Sequence, residues 1–172
     1  MLARIKNQTR SQRIKRKARR NLSSKFSREK DNYVVDTSAI IHRFLPGLIK
    51  KGLSGRIIIP NAVMAELESQ ANKGFEWGFI GLDEVVNLHN LKEKYKITIF
   101  FEGIRPQENH IKYAKSGEID ALIREIAREN NATLITSDLV QAKSAQAYNI
   151  PVIFLRPKLE KPKKRRFWPF GK

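Results

Sequence analysis

Four acidic residues, spread along the chain, could together bind a divalent cation. Asp36 and Asp138 each follow a short apolar segment, whereas Glu66 and Asp120 lie where amphipathic helices are predicted. Four carboxylates that met at one edge of a sheet would repel one another unless a cation held them together. Mg²⁺ and Mn²⁺ prefer oxygen ligands and can activate water for attack on a phosphate. These residue types therefore predict metal-dependent hydrolysis of phosphodiester bonds.

Each of these acids also has a simpler explanation. Asp is a favoured N-cap residue, so Asp36 and Asp138 could simply begin helices. Helix glutamates are usually solvated, and Glu68 competes with Glu66 for any role as a ligand. The metal hypothesis therefore requires the acids to meet at one place, and open α/β sheets bind ligands at the carboxyl ends of strands where the strand order reverses.

A parallel α/β sheet is the predicted frame for these acids. From Tyr33 onwards, short segments rich in Val, Ile and Phe alternate with amphipathic stretches, which is typical of βαβ units. The predicted strands are residues 33–35, 56–59, 96–101, 132–135 and 152–155.

Two helices can be predicted from their own residues. Residues 118–130 carry an apolar stripe at i, i+3, i+4 and i+7, and Asp120 lies beside it; the stripe consists of Ile119, Leu122, Ile123 and Ile126. A second helix is predicted over residues 61–71, with Asn61 as its cap behind Pro60.

Charge divides the 172 residues into three regions. Residues 1–31 hold twelve Lys or Arg and two acids, residues 157–172 are also strongly basic, and the part between them is close to neutral within a net charge of +17. Dense basic segments attract phosphate backbones, although a disordered, solvated tail is the alternative explanation. We therefore predict one globular domain over residues 32–156 with basic arms on either side, disordered when free, that bind RNA.

The predicted RNA-binding residues lie in the two arms. The C-terminal arm also mixes aromatic residues with bases, so it could stack on RNA, fill a protein groove or rest on a membrane, and we expect RNA or the ribosome rather than a membrane. The residues are Arg13, Lys15, Arg16, Lys17, Arg19, Arg20, Lys163, Lys164, Arg165, Arg166 and Trp168.

Cysteine content, hydropathy and histidine spacing exclude several kinds of site and of protein. The sequence has no cysteine, so disulfides and thiolate metal sites are excluded, and no apolar run is long enough to span a bilayer, which indicates a soluble, cytoplasmic protein. His42, His89 and His110 lack the spacing of metal ligands and are predicted to lie at the surface or to pack against helices.

Residues 72–81 contain Phe75, Trp77 and Phe79 among glycines. They predict an ordered turn or arch, acting either as an aromatic plug over the core or as an RNA-stacking surface.

Four segments together resemble the successive motifs of the PIN-domain ribonuclease family. They are YVVDTSAI at 33–40, IIIPNAVMAELE at 57–68, GEIDALIREIA at 117–127 and TLITSD at 133–138. The resemblance is greatest to the archaeal-type PIN domain that is otherwise fused to an ATPase and a KH module. It implies a three-layer α/β sandwich with a parallel sheet of order 3-2-1-4-5.

The same resemblance implies roles for individual residues. Asp36, Glu66, Asp120 and Asp138 would hold one or two Mg²⁺ or Mn²⁺ ions, with Glu118 as an optional ligand and with Ser38 and Thr136 as supporting hydroxyls. The predicted function is a divalent-metal-dependent endoribonuclease, involved in RNA processing or associated with the ribosome.

Two alternatives remain open, a non-catalytic RNA- or ribosome-binding module and the ribonuclease of a toxin–antitoxin pair. A homodimer is compatible with the family. No GxxxxGK[ST] loop occurs in the sequence, so ATP hydrolysis is not expected.

Overall fold

The computed structural model describes residues 31–107, 111 and 117–157, which form five strands and six helices. The α/β fold is therefore confirmed. Within this part of the chain no helix has the length and apolar character needed to cross a membrane. Apart from residues 31 and 157, both basic arms and all their predicted RNA-binding residues lie outside the described residues.

The elements follow one another in regular alternation. They are β1 (Asn32–Val35), α1 (Thr37–Ile41), α2 (Phe44–Lys50), β2 (Gly55–Pro60), α3 (Asn61–Asn72), α4 (Glu76–Lys92), β3 (Ile97–Glu102), α5 (Glu118–Glu129), β4 (Thr133–Thr136), α6 (Leu139–Ala147) and β5 (Val152–Phe154).

The five strands form one parallel sheet in the order β3-β2-β1-β4-β5, as the resemblance implied. In register, Tyr33 of β1 lies between Ile57 of β2 and Thr133 of β4. Because crossovers between parallel strands are right-handed, α1 to α4 cover one face and α5 and α6 cover the other, which makes three layers. Chain connections leave β1 and β4 in opposite directions, so their carboxyl ends form the point where strand order reverses.

Buried apolar residues hold the central strands and α5 in the core. The β-branched residues Val34, Val35 and Ile58 are buried because helices cover both faces of a parallel sheet. On α5 the predicted stripe faces the core, with Ile123 and Ile126 buried. This packing leaves the first turn of α5, including Asp120, at the edge of the sheet.

Asn61 does not cap α3, so that prediction is wrong. It is the first helical residue, and the N-cap position belongs to Pro60. Its side-chain amide Nδ2 instead donates to the backbone oxygen of Gly103 at 2.7 Å. The bond ties the start of α3 to the loop that follows β3.

The aromatic segment 72–81 contains a tight turn followed by the start of a helix, so of the predicted turn or arch it forms the turn. Helix α4 begins at Glu76, and Phe75, Trp77 and Phe79 are each more than half exposed. They therefore do not form a plug over the core, which corrects the first of the two interpretations. The glycines of this segment have a packing role, because Gly78 and Gly81 face α3 at close distance.

Candidate active site

Asp36 lies at the carboxyl end of β1, where it is 4% exposed and held by two hydroxyl groups. Ser38 Oγ and Thr136 Oγ1 each donate to Asp36 Oδ2 at 2.6 Å. Both hydroxyl oxygens also accept backbone N–H groups, from Ser137 at 3.0 Å and from Asp138 at 2.9 Å. Each hydroxyl oxygen thus accepts a backbone N–H of the loop after β4, and its single hydrogen is left to donate to Asp36. The predicted supporting residues Ser38 and Thr136 thus orient this carboxylate.

Glu66 is brought to the same edge by α3 and is bound by Thr37. The Thr37 hydroxyl donates to Glu66 Oε2 at 2.6 Å, and Gln70 donates to Oε1 at 3.3 Å. The competing residue Glu68 instead forms an ion pair with Arg105. Sequence reasoning did not identify Thr37, although its position between Asp36 and Ser38 was a signal that the β1–α1 turn is rich in hydroxyls.

Asp138 does cap a helix, as its simpler explanation proposed. Its Oδ1 accepts backbone N–H groups of α6, from Val140 at 2.6 Å and from Gln141 at 3.1 Å. Both bonds involve Oδ1, so the cap does not use Oδ2. Asp36 stands at the N-cap position of α1 but makes no side-chain capping bond there, so capping does not account for it.

Asp120 reaches the site from the first turn of α5. Its backbone oxygen accepts a hydrogen bond of 3.2 Å from Nε2 of Gln141, a residue that is fully buried. Glu118, two residues earlier and the first residue of α5, is exposed. It is not among the charges that shift the pKa of Asp36, Glu66 or Asp120. The described geometry therefore favours Asp120 over Glu118 as the acid that α5 contributes. Gln141 was not predicted as part of the site.

The acids interact electrostatically as one group. Burial raises the pKa of Asp36, the hydrogen bonds from Ser38 and Thr136 lower it, and the charge of Asp138 raises it. Burial also raises the pKa of Glu66, with a further increase from Asp36 and Asp120.

Asp120 belongs to the same group. Burial raises its pKa, as do the charges of Asp36 and Asp138, while Arg124 lowers it. A bound cation would relieve this mutual repulsion, so the site has the electrostatic character expected of a metal centre.

The donor set suits a hard cation that retains water. Among the described residues, no three His, Asp or Glu side chains are arranged to hold one ion directly. Mg²⁺ keeps several waters and is commonly bound through one or two carboxylates, so direct contact with all four acids is not needed. The described histidines lie elsewhere, His42 near Phe44 and His89 stacked on Phe101, in agreement with the predicted packing roles. The all-oxygen set therefore fits Mg²⁺ or Mn²⁺.

A further acid, Glu84, is buried on α4 away from this group. It is 3% exposed, and its Oε1 has no hydrogen-bond partner among the described residues, while Oε2 accepts from Asn87 at 3.3 Å. Burial raises the pKa of Glu84, and Asn87 and the charge of Arg43 lower it. None of the four site acids contributes, so Glu84 does not belong to the acidic group, and its burial opposes folding when the carboxyl group is ionised.

We expect Glu84→Gln to raise the free energy of unfolding by about 1 kcal/mol near neutral pH, because it removes the cost of ionising a buried carboxyl group while the amide oxygen can still accept from Asn87. The pKa of Glu84 in the folded state lies above its unfolded value of 4.5, so the folded state retains the proton to a higher pH. The stability of the wild type therefore falls as pH rises between the two pKa values. The gain should therefore vanish below pH 4.5. Urea unfolding across pH, with exposed Asp83→Asn as control, tests this; a gain that persists in acid would contradict it.

Comparisons with known proteins agree with this architecture. A family model described as PIN domain matches residues 33–147. An uncharacterised KH and PIN-domain containing protein of Methanocaldococcus jannaschii is 43% identical over 123 residues, which are 70% of this chain and 19% of that protein. A Holliday junction branch migration ATPase of Sulfolobus acidocaldarius is 27% identical over 122 residues, which are 71% of this chain and 22% of that protein.

A solved structure is also similar. It is a domain of a functionally unknown protein from Methanocaldococcus jannaschii, with a TM-score of 0.71 and 41% identity over 76% of this chain and 95% of that one. The chain thus matches nearly all of this solved domain, but only about a fifth of the length of the two longer relatives.

Proposed function

Because the chain belongs to the PIN domain family, we propose that it is an endoribonuclease that hydrolyses RNA phosphodiester bonds with the help of Mg²⁺ or Mn²⁺. PIN domains are typically metal-dependent nucleases. The observation that carries the proposal is the electrostatic coupling of Asp36 to Glu66, Asp120 and Asp138 at the point where strand order reverses.

The proposed chemistry divides between the ion and the chain. Asp36, Glu66, Asp120 and Asp138 would hold one or two ions, and a divalent ion bound there supplies an activated water and neutralises charge on the phosphate. The chain's own polar groups keep the carboxylates in place. Thr136 and Ser38 orient Asp36, and Thr37 orients Glu66. Carboxylates held in this way would need little reorganisation during the reaction.

RNA is the proposed substrate because of charge. Residues 1–31 and 157–172 are strongly basic beside a nearly neutral domain, and such segments bind nucleic-acid backbones with salt-dependent affinity. One relative contains a KH domain by name, and KH domains clamp single-stranded nucleotides. The other is named for Holliday junctions, so DNA has to be tested as a competing substrate. We propose a cytoplasmic role in RNA processing or at the ribosome.

Cleavage of labelled RNA by the purified chain tests the proposal. We expect products from single-stranded or structured RNA with Mn²⁺ or Mg²⁺, none with EDTA, and much less from DNA of the same sequence. Cleavage that continues in EDTA would contradict the metal mechanism. A chain that binds RNA but never cleaves it would favour the non-catalytic module instead.

A further inference from the structure

A groove lies beside the acidic group, between α5 and the end of α6. Its volume is about 190 Å³, and its lining consists of Ala121, Arg124, Glu125, Arg128, Tyr148 and Ile150. Two of these side chains are guanidinium groups and one is a phenol ring, a combination that suits phosphates and a planar base.

The groove is linked to the acidic group by hydrogen bonds through buried Gln141. Arg124 Nη1 donates to Gln141 Oε1 at 2.6 Å, and Gln141 Nε2 donates to the backbone oxygen of Asp120. The backbone N–H of Gln141 also donates to Asp138 Oδ1. One fully buried residue therefore connects Arg124, at the near end of the groove, to two of the four acids.

The direction of the groove follows from the rise of an α-helix. At 1.5 Å per residue, Arg124 and Arg128 lie about 6 Å and about 12 Å along α5 from Asp120. A strand whose phosphate lies at the acids could therefore continue along the groove and meet the two arginines in turn.

Tyr148 offers a stacking surface at this groove. Its side chain is 64% exposed at the C-cap position of α6, and the Arg124 guanidinium carbon lies 5.9 Å from the centre of the ring. Exposed aromatic rings next to arginines are the usual platforms for single-stranded nucleic acids, because every base has a face that can stack.

We propose that this groove binds the single-stranded RNA that flanks the cleaved phosphate, with a base on Tyr148 and phosphates at Arg124 and Arg128. The inference rests on the proposed function for the identity of the substrate. An acidic peptide would also match the arginines, but it would make no use of the exposed ring or of the connection to the acids. Glu125, which lies 3.6 Å from Arg128, is the one acid among the lining residues and would oppose the phosphates.

Binding measured without cleavage separates this inference from the proposed function. Fluorescence anisotropy of a labelled single-stranded oligoribonucleotide, titrated with the full chain in EDTA, gives a dissociation constant that does not depend on catalysis. Salt should be high enough to weaken the contribution of the basic arms. Arg124 is left unchanged, since its bond to Gln141 links it to the acidic group.

The expected effects have opposite signs. Tyr148→Ala should weaken binding about five- to tenfold and Tyr148→Phe by less than about twofold, because the ring and not the hydroxyl stacks. Arg128→Ala should weaken binding and reduce the salt slope by about 0.7, the value for one phosphate contact on a single strand. Glu125→Gln should strengthen binding about twofold. Lys50→Ala, an exposed charge on the other face of the sheet, should change it by less than about twofold.

Several results would overturn the inference. These are equal affinity for wild type and Tyr148→Ala, an equal loss in Tyr148→Phe, or a polyglutamate peptide that binds as tightly and with the same dependence on Tyr148. Circular dichroism checks that each variant is folded. If RNA is cleaved but Tyr148 has no effect on binding, the inference about the groove is refuted and the proposed nuclease function is retained. If Tyr148-dependent binding occurs without cleavage, the inference about the groove is retained and the proposed nuclease function is refuted.

Discussion

Replacing Asp36 with Asn is expected to lower the rate of RNA cleavage at least about a hundredfold without unfolding the protein. A carboxylate at the centre of a metal site contributes several kcal/mol to binding and to transition-state stabilisation, and each loss of about 1.4 kcal/mol slows a reaction tenfold. Asn keeps an oxygen that can accept the hydrogen bonds of Ser38 and Thr136, so the local structure should persist. The effect would therefore lie in the chemistry and not in the fold.

Thermal unfolding with and without Mn²⁺ provides the second measurement for this variant. An ion that binds only the folded state raises the melting temperature, so wild type should gain stability with Mn²⁺ and Asp36→Asn should gain little. The matched control is Asp83→Asn, the same change at an exposed position of α4, which should keep both activity and the Mn²⁺ response. Undiminished cleavage by Asp36→Asn would refute the proposed site.

The acidic group should also reduce the stability of the metal-free protein. Burial raises the pKa of Asp36, Glu66 and Asp120, and neighbouring acids raise each pKa further. Ionisation of these groups therefore costs more free energy in the folded state than in the unfolded state. Removing one of these charges can therefore stabilise a protein while abolishing its function. Asp36→Asn should consequently melt in EDTA at or above the temperature of wild type.

Much of the fold follows from local sequence. The central strands are runs of Val and Ile that only a sheet covered on both faces can bury, and α5 carries its own apolar stripe. The positions of Asp36 and Asp138 follow from these strands, because acids just beyond parallel strands lie at one edge. Glu66 and Asp120 depended on the motif resemblance, since nothing in a helix's own pattern specifies which of its acids faces a neighbour.

The features that could not be predicted depend on contacts between distant parts of the chain. Thr37 binds Glu66 across 29 residues, and Asn61 binds the loop after β3 across 42 residues, which overrode its capping preference. The burial of Gln141 and Glu84 likewise depends on packing between helices and not on local periodicity. Polar residues are usually exposed, so only the assembled structure identifies the exceptions.

The packing of α3 against α4 supports the site, and Gly78 is where it is tightest. A Cβ atom at Gly78 would lie 2.2 Å from the backbone nitrogen of Ala71 and 2.7 Å from the backbone oxygen of Leu67. Both neighbours are backbone atoms of α3, so they cannot move without displacing the helix that carries Glu66. We expect Gly78→Ala to lower the free energy of unfolding by about 3 kcal/mol and to slow RNA cleavage as well.

The sign of this effect distinguishes packing from helix propensity. In an open helix, Gly→Ala stabilises by about 0.8–1.0 kcal/mol. Gly47 of α2 provides that case, because no atom lies within 4 Å of its added Cβ, so Gly47→Ala should stabilise the protein and leave cleavage unchanged. Urea unfolding of the two variants should therefore move in opposite directions from wild type. If Gly78→Ala were also stabilising, α3 and α4 could not be packed as closely as described, and the position of Glu66 would lose its support.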